Sequence, residues 1–451
     1  MHKFNFFPFF IAMILLFSCV VPCAAAESED VILPGAPDIR CSAALLIDLD
    51  SDTVLYSQNA DERVYPASLT KVMTALLILK YGSLSDTVTV SAQATDIPSD
   101  ASSVGLLAGE DLSMENLLYC ILVSSANEAC NAAAEHISGS ISAFVELMNT
   151  EAALLGCTGT HFTNTNGLHD EEHYTTARDL ARITVAALAY PKFVTICNTA
   201  SKEIPATNLS GPRYLKTTNY LISSNTVSDY VYSKACGVKT GHTSQSGYCL
   251  ISTAESGGTN LLCVMMGAKG VELSDGTTRI ESFTQTKELF EYGFSSFDEV
   301  TLLRPTEMIA DIPVIYSSET DSVVLCPAET LSAVLPSDYD IELLEKEVLL
   351  SEESPVEAPV SAGEIFGSVT VRYDGRELGT VALTAIADIE RSDLLFYAAV
   401  AKDLLSGRPF RVMVAILAAV ILTILLLHAV RDVRRRKQDR SRRTKRSRAK
   451  R

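Results

Sequence analysis

Apolar and polar positions change rhythm several times along the chain, and each rhythm predicts a different element. Cys41–Asp48 and Thr53–Ser57 are short apolar runs around Asp50-Ser51-Asp52, the pattern of a hairpin. Helical spacing of apolar residues follows at Leu69–Lys80, Met114–Leu122, Asn127–Ile137, Ile141–Leu155 and Ala177–Ala189. Two further strands, Tyr248–Ala254 and Leu261–Gly267, flank the turn Glu255-Ser256-Gly257-Gly258-Thr259-Asn260, and a last helix is predicted near Arg279–Tyr292. Strands at both ends of this region with helices between them imply one sheet built from both chain ends and covered by helices. From about Asp298 the runs become short and β-branched (Ser322–Leu325, Val369–Tyr373, Leu378–Leu383), with the turn signal Tyr373-Asp374-Gly375 and an acidic, proline-bearing loop at Ser351–Val360. That predicts a separate β-rich domain. No internal repeat is evident.

The two ends carry a different signal. Lys3, an apolar stretch from Phe4 to Val21, and Ala24-Ala25-Ala26 have the form of a secretory signal. Near the C-terminus, Val412–Val430 is an apolar run of 19 residues whose one strongly polar member is His428. At about 1.5 Å rise per residue it is long enough to cross a bilayer. Residues 431–451 hold 13 Lys/Arg against 2 Asp/Glu, so the positive-inside rule puts this tail in the cytoplasm. Asp393–Leu405 has helical spacing and is expected to lie against the membrane. The resulting layout is a signal at 1–26, a globular region at 41–297, a β-rich domain at 298–392, a juxtamembrane segment at 393–409, a transmembrane helix at 410–430 and a basic tail at 431–451.

Composition narrows the function. Of 451 residues 47% are hydrophobic and 20% charged, which is globular, and the net charge of −18 conceals a body still more acidic, because the tail is basic. An acidic body argues against nucleic acid as the main partner. Nine of eleven cysteines follow the signal, in no C-x-x-C arrangement and mostly in apolar runs such as those holding Cys120, Cys249 and Cys263, so they read as mostly buried thiols.

Three short motifs carry candidate chemistry: Ser68-Leu69-Thr70-Lys71, Ser125-Ala126-Asn127 and Lys239-Thr240-Gly241. Singly they are weak. Ser447-Arg448-Ala449-Lys450 repeats the first, Ser57-Gln58-Asn59 and Ser223-Ser224-Asn225 repeat the second, and the third occurs once. Ser68 falls at a predicted helix start with Lys71 one turn on, so an amine and a hydroxyl share a face where backbone N–H groups favour an anion. A helix cap followed by a solvated lysine fits the same residues. Ser125-x-x-Glu128 has the form of a capping box. Lys239-Thr240-Gly241 precedes a predicted strand, and Gly237 and Gly241 would let a substrate backbone lie beside it, though a surface turn fits too. His169-Asp170-Glu171-Glu172-His173 matches an inverted zinc-protease pattern. Zinc needs both histidines on one helix face, and the flanking Asn164, Asn166, Gly167 and Thr175-Thr176 read as loop, so no metal and no cofactor is expected.

Taken in order, Tyr65-Pro66-Ala67-Ser68-Leu69-Thr70-Lys71, Ser125-Ala126-Asn127-Glu128-Ala129, Asn164-x-x-Gly167-Leu168, His173-Tyr174-Thr175-Thr176-Ala177-x-Asp179-Leu180-Ala181 and Gly237-x-Lys239-Thr240-Gly241-His242-Thr243 resemble the low-molecular-mass penicillin-binding proteins with D-Ala-D-Ala carboxypeptidase activity. The resemblance spans about Cys41 to Phe297. It departs at Ala126, where family members often have glycine. It implies an α/β (α+β) fold: a β-lactamase/transpeptidase-like catalytic domain, a small β-rich C-terminal domain and one C-terminal transmembrane helix. It also implies Ser68 as acylated nucleophile and Lys71 as its base, with a pKa lowered by burial and by the charge of Lys239. Ser125 would relay a proton to the departing D-alanine, and Asn127 would orient substrate and Lys71. Lys239 and Thr240 would bind the substrate carboxylate, supported by Arg279. The N–H groups of Ser68 and His242 would form the oxyanion hole. Peptidoglycan stem peptides are the implied substrate, β-lactams the inhibitors and the cytoplasmic membrane the anchor. A β-lactamase would need a Glu-x-x-Leu-Asn segment between the second and third motifs, and none is convincing; a sensor that acylates without turnover would need more than a tail of about 20 residues.

Overall fold

The computed structural model describes residues 31–33, 35–223, 228–274, 276–350 and 354–448. The expected export segment, 1–26, lies outside them. The chain divides into two compact units after Phe297.

The first unit is built on a five-stranded sheet with helices around it. Besides a short strand pair, Thr87–Thr89 with Asp111–Ser113, the elements in chain order are β1 (Ala43–Asp48), β2 (Thr53–Gln58), α1 (Lys71–Tyr81), α2 (Met114–Val123), α3 (Asn127–Ser138), α4 (Ile141–Leu154), α5 (Ala177–Leu188), α6 (Pro191–Cys197), β3 (Ser201–Ile204), β4 (Arg213–Lys216), β5 (Ala235–Thr243), β6 (Gly247–Ser256), β7 (Thr259–Ala268), β8 (Gly270–Glu272), β9 (Thr278–Ile280) and α7 (Glu281–Ser295). The sheet order is β2-β1-β7-β6-β5, antiparallel throughout, so strands from both chain ends meet at β1 and β7. β3 and β4 form a separate small hairpin, as do β8 and β9.

Alternation along β7 explains its continuous apolar run. Leu262, Val264 and Met266 enter the helical core with Ala43, Leu45 and Ile47 of β1. The intervening residues face α7: Cys263 lies against Thr286, Thr286 against Met265, and Leu261 against Gly293. A strand covered on both faces has no polar face to show in sequence. Gly293 lets α7 approach closely, since a Cβ there would stand 2.7 Å from Leu261 and 2.9 Å from Leu46. On the other side, α1 is buried from Lys71 through Ile78 and touches α2, α3, α4, α5 and α6. A helix enclosed this way is apolar all round rather than amphipathic. Nine cysteines, Cys41 to Cys326, are unpaired thiols, seven of them buried.

Three boundaries differ from the sequence reading in ways that bear on chemistry. The helix expected from Leu69 begins at Lys71, preceded by a 3-10 turn at Ala67–Thr70. Lys239-Thr240-Gly241 lies inside β5 rather than ahead of a strand. Arg279, expected at the start of the last helix, is in β9, and α7 starts at Glu281.

The second unit holds a six-stranded sheet in the order Leu344–Leu350, Ile365–Tyr373, Arg376–Ala385, Ser322–Pro327, Ala310–Ile315 and Val356–Glu357, with Phe297–Leu303 paired separately to Leu331–Pro336. Asp374 (φ 49°) and Gly375 (φ 76°) make the two-residue turn between the longest strands, where both central residues need positive φ. Leu325, Val369, Val371 and Leu383 fill its core. Helix α8 (Asp393–Ser406) is followed by α9 (Arg408–Arg448). Residues Arg408–Gln438 of α9 are long and apolar enough to cross a membrane, and within them none of the most apolar stretch is buried by protein.

Candidate active site

Ser68 sits in the 3-10 turn, not at a helix cap: no side-chain capping bond is made at Pro66 or at Thr70, the residues flanking the two helix starts. Ala67 has a φ of 47°, and the turn is held from two sides by glycines. A Cβ on Gly167 would stand 1.8 Å from the Ala67 carbonyl oxygen. One on Gly241 would stand 3.1 Å from both the Pro66 oxygen and the Ser68 nitrogen. At 167 only glycine lets the 164–168 loop close on the serine, and at 241 glycine lets strand β5 do so without displacing the turn.

Lys71 is fully buried and reaches back one turn to Ser68, its Nζ 2.8 Å from Oγ. It also donates to Asn127 Oδ1 (2.7 Å) and to the Asn166 carbonyl (2.6 Å), so a protonated amine has all three N–H groups satisfied. Asn164 shapes that loop, its Oδ1 accepting from Gly167 N at 2.7 Å. His173 supports the turn from behind. Its Nδ1 accepts from Thr163 N (3.0 Å), leaving Nε2 to donate to Thr70 Oγ1 (2.8 Å), which donates to Ala67 O (2.9 Å). Burial pushes its pKa down to about 4, so it stays neutral. The His169–His173 spacing is not helical, and among the described residues no group of three or more His, Cys, Asp or Glu is placed to hold a metal.

The second half of the site joins Ser125 to Lys239. Ser125 has a φ of 61° and caps nothing: α3 starts at Asn127 with Ala126 at its N-cap and no side-chain cap bond. The capping-box reading is therefore overturned. Glu128 turns instead to the preceding loop, its Oε1 accepting from Ser103 Oγ (2.7 Å), Val104 N (2.8 Å) and Gly105 N (3.1 Å). Released from capping, Ser125 Oγ accepts from the buried Lys239 Nζ at 3.1 Å, and Lys239 also donates to the Thr240 carbonyl at 2.9 Å. Thr240 Oγ1 lies 2.6 Å from Thr218 Oγ1. β5 is the outer strand of the sheet, so one of its edges has no strand partner among the described residues. His242 is exposed with its ring 4.2 Å from that of Tyr248.

Both amines are perturbed. Burial pushes Lys71 down to about 8, against the pull of Cys130 and Glu128. Burial pushes Lys239 further, to about 7, with the charge of Lys71 adding to it. Burial is the main cause in both, and the repulsion between the two amines disfavours a proton on either while the other is charged.

Of the residues singled out in sequence, Ser68, Lys71 and Asn127 are directly bonded, as are Ser125 and Lys239, while Thr240 and His242 follow on the same strand. Arg279 is not drawn in. Its Nε bonds Glu281 at 2.6 Å, and among the described residues no hydrogen bond links it to the cluster. The Asn166 carbonyl and Thr218 were missed. A backbone oxygen leaves no trace in residue identity, and Thr218 sits in no motif.

Two amines and two hydroxyls of this kind point to acyl transfer, and comparison with known families decides the matter. Residues 30–270 match the D-alanyl-D-alanine carboxypeptidase family, and residues 297–391 match the C-terminal domain of penicillin-binding protein 5. The chain belongs to the serine D-alanyl-D-alanine carboxypeptidases. It is 31% identical over 385 residues to the D-alanyl-D-alanine carboxypeptidase DacA of Escherichia coli, covering 82% of this chain and 90% of that one. It is 29% identical over 363 residues to DacF of Bacillus subtilis, covering 79% and 88%. The crystal structure of penicillin-binding protein 5 from Haemophilus influenzae superposes with a TM-score of 0.59 at 28% identity, covering 80% of this chain and all of the other. Ala126, where members of the family often have glycine, is buried and packs in the helical core cluster.

Proposed function

We propose that the chain removes the terminal D-alanine from peptidoglycan stem pentapeptides through an acyl-enzyme on Ser68. The carrying observation is the 2.8 Å contact between the Ser68 hydroxyl and a fully buried amine whose pKa is held near 8. Neutral Lys71 has two N–H groups for Asn127 and Asn166 and a lone pair for the Ser68 proton. Ser68 Oγ attacks the carbonyl carbon of the penultimate D-alanine as its proton passes to Lys71. The developing oxyanion faces the backbone N–H groups of Ser68 and His242, which Gly241 allows to stand close. Collapse breaks the C–N bond, and the leaving amine takes its proton through Ser125. Water then hydrolyses the ester.

Lys239 and Thr240 receive the substrate carboxylate, and this couples binding to activation. An anion on Lys239 raises its pKa and fixes its charge, and that charge disfavours a proton on Lys71. Substrate therefore generates its own base. A β-lactam, which carries a carboxylate beside its reactive amide, engages the same groups. The apolar α9 anchors the chain, with the body outside and the basic tail in the cytoplasm, in accord with the Lys/Arg excess after Val430. The test is peptide mapping after treatment with penicillin. The adduct is expected on tryptic peptide 64–71 and is expected to vanish in Ser68→Ala; an adduct on another peptide, or one that persists in the variant, overturns the proposal.

A further inference from the structure

Glu128 is a buried carboxylate directly after Asn127 in α3, and the reaction proposed above gives it no step. Its two oxygens are treated unequally. Oε1 accepts from Ser103 Oγ (2.7 Å) and from the N–H groups of Val104 (2.8 Å), Gly105 (3.1 Å) and Leu106 (3.4 Å). Successive backbone N–H groups converging on one oxygen form the kind of nest that holds an anion. Oε2 is buried as well and has no hydrogen-bond partner among the described residues. Clamping the loop needs only the first oxygen, and a neutral amide would supply it. A carboxylate with one oxygen unpaired in the core costs stability, and its charge acts on whatever titrates nearby.

Lys71 titrates nearby. Two groups favour a proton on it, Cys130 and then Glu128. Burial pushes the Cys130 thiol up to about 11, so it is uncharged where Lys71, at about 8, titrates. Glu128 is left as the anion, and its charge also raises the Cys120 and Cys130 thiols on either side of the α2–α3 contact. The other surroundings of Lys71 bring no free anion. His173 in the loop before α5 is neutral, and burial keeps the thiols of Cys120 on α2 and Cys197 on α6 protonated. Glu151 on α4 is paired with Lys80, and Asp179 on α5 with Arg182. Lys239 is different: after burial, the groups that act on it are Lys71, Cys130 and Cys197, without Glu128. The carboxylate therefore distinguishes the two amines.

We propose that Glu128 is a positioning residue for the proton: its carboxylate keeps the resting proton on Lys71 rather than on Lys239, and so sets the acid limit of acylation. The inference rests on Lys71 being the base, as proposed above. In the free site the proton sits on Lys71, and Ser68 has no base. A substrate carboxylate at Lys239 draws the proton across and frees Lys71. Glu128 thus makes the base conditional on substrate. It acts through Lys71 alone, and no bond to it forms or breaks.

The test is the pH profile of acylation by a fluorescent penicillin, read as a second-order rate constant on the full chain in detergent from about pH 5 to 9. On the acid side this constant follows the fraction of protein with Lys71 neutral and Lys239 charged. Glu128→Gln keeps an acceptor for the loop and removes the charge, which lowers the affinity of Lys71 for its proton. Its acid limb is expected to move about half a unit towards lower pH, so that on that limb it acylates about three-fold faster than wild type. Glu128→Asp keeps the charge and gives up part of the loop clamp. It is expected to melt at a lower temperature with its acid limb where wild type has it, and it decides the matter should the glutamine variant not fold. An acid limb unmoved in Glu128→Gln, rates lowered equally at every pH, or a limb displaced in Glu128→Asp overturns the inference and makes Glu128 a loop clamp only. A wild-type profile without an acid fall overturns Lys71 as the base instead.

Discussion

Lys71 and Lys239 are both buried, and burial in the absence of a carboxylate partner is what depresses their pKa values. Neighbouring amines of this kind titrate as a pair. Below about 7 both are protonated and no base exists; above about 8 both are neutral and the carboxylate loses its cation. The productive form holds one proton; Lys71 is the more basic amine in the free protein, so the substrate carboxylate must draw that proton onto Lys239. kcat/KM for pentapeptide is therefore expected to peak between these two values and fall on both sides. Lys239→Arg, which cannot lose its proton in this range, is expected to lose the alkaline fall while keeping the acid one. An alkaline fall unchanged in that variant removes Lys239 from the pair. At this scale the motifs made Ser68, Lys71, Ser125 and Lys239 legible, because hydroxyls and amines declare themselves. Which proton partner each one has did not show, because the Asn166 carbonyl and the left-handed backbone of Ser125 depend on loops remote in sequence.

The elements that carry the site are placed by glycines. Helical periodicity from Leu69 suggested that Ser68 capped a helix, yet the turn is kept out of α1 by Ala67 at φ 47° and by the packing of Gly167 and Gly241 against it. Close approach of that sort is tertiary, so periodicity cannot report it. The two glycines should respond differently to alanine. Gly167 has a φ of 86° and a Cβ there would overlap the Ala67 backbone, so Gly167→Ala is expected to lower the melting temperature by many degrees. Gly241→Ala needs a shift of only a few tenths of an ångström from the Ser68 turn. It is expected to fold, with penicillin acylation slowed by about 10- to 100-fold. Equal melting temperatures for the two variants would contradict the packing described. The outer strand β5 was half seen: its three-residue motif was noted, but its polar and glycine-rich composition hid the strand itself.

The molecule as a whole joins a catalytic unit, a β-rich unit and an apolar helix. Sequence rhythm conveyed this arrangement well, because long apolar runs and β-branched runs between turns survive any ambiguity at their ends. The apolar helix extends further than its apolar run, since the arginines and lysines after Val430 are good helix formers and continue it to Arg448. Deleting residues 408–451 is expected to move the protein from the membrane pellet to the soluble fraction after a salt wash. Retention in the pellet would assign the attachment to the exposed apolar side chains of α8, such as Leu394 and Leu404.

The most direct test of the central claim is release of D-alanine from a synthetic stem pentapeptide by the full chain, compared with Ser68→Ala. The wild-type protein is expected to yield one D-alanine and one tetrapeptide per turnover, and the variant, still folded by its melting curve, to yield neither. Undiminished release by Ser68→Ala, or penicillin acylation of a wild-type protein that never turns over the peptide, would contradict the account.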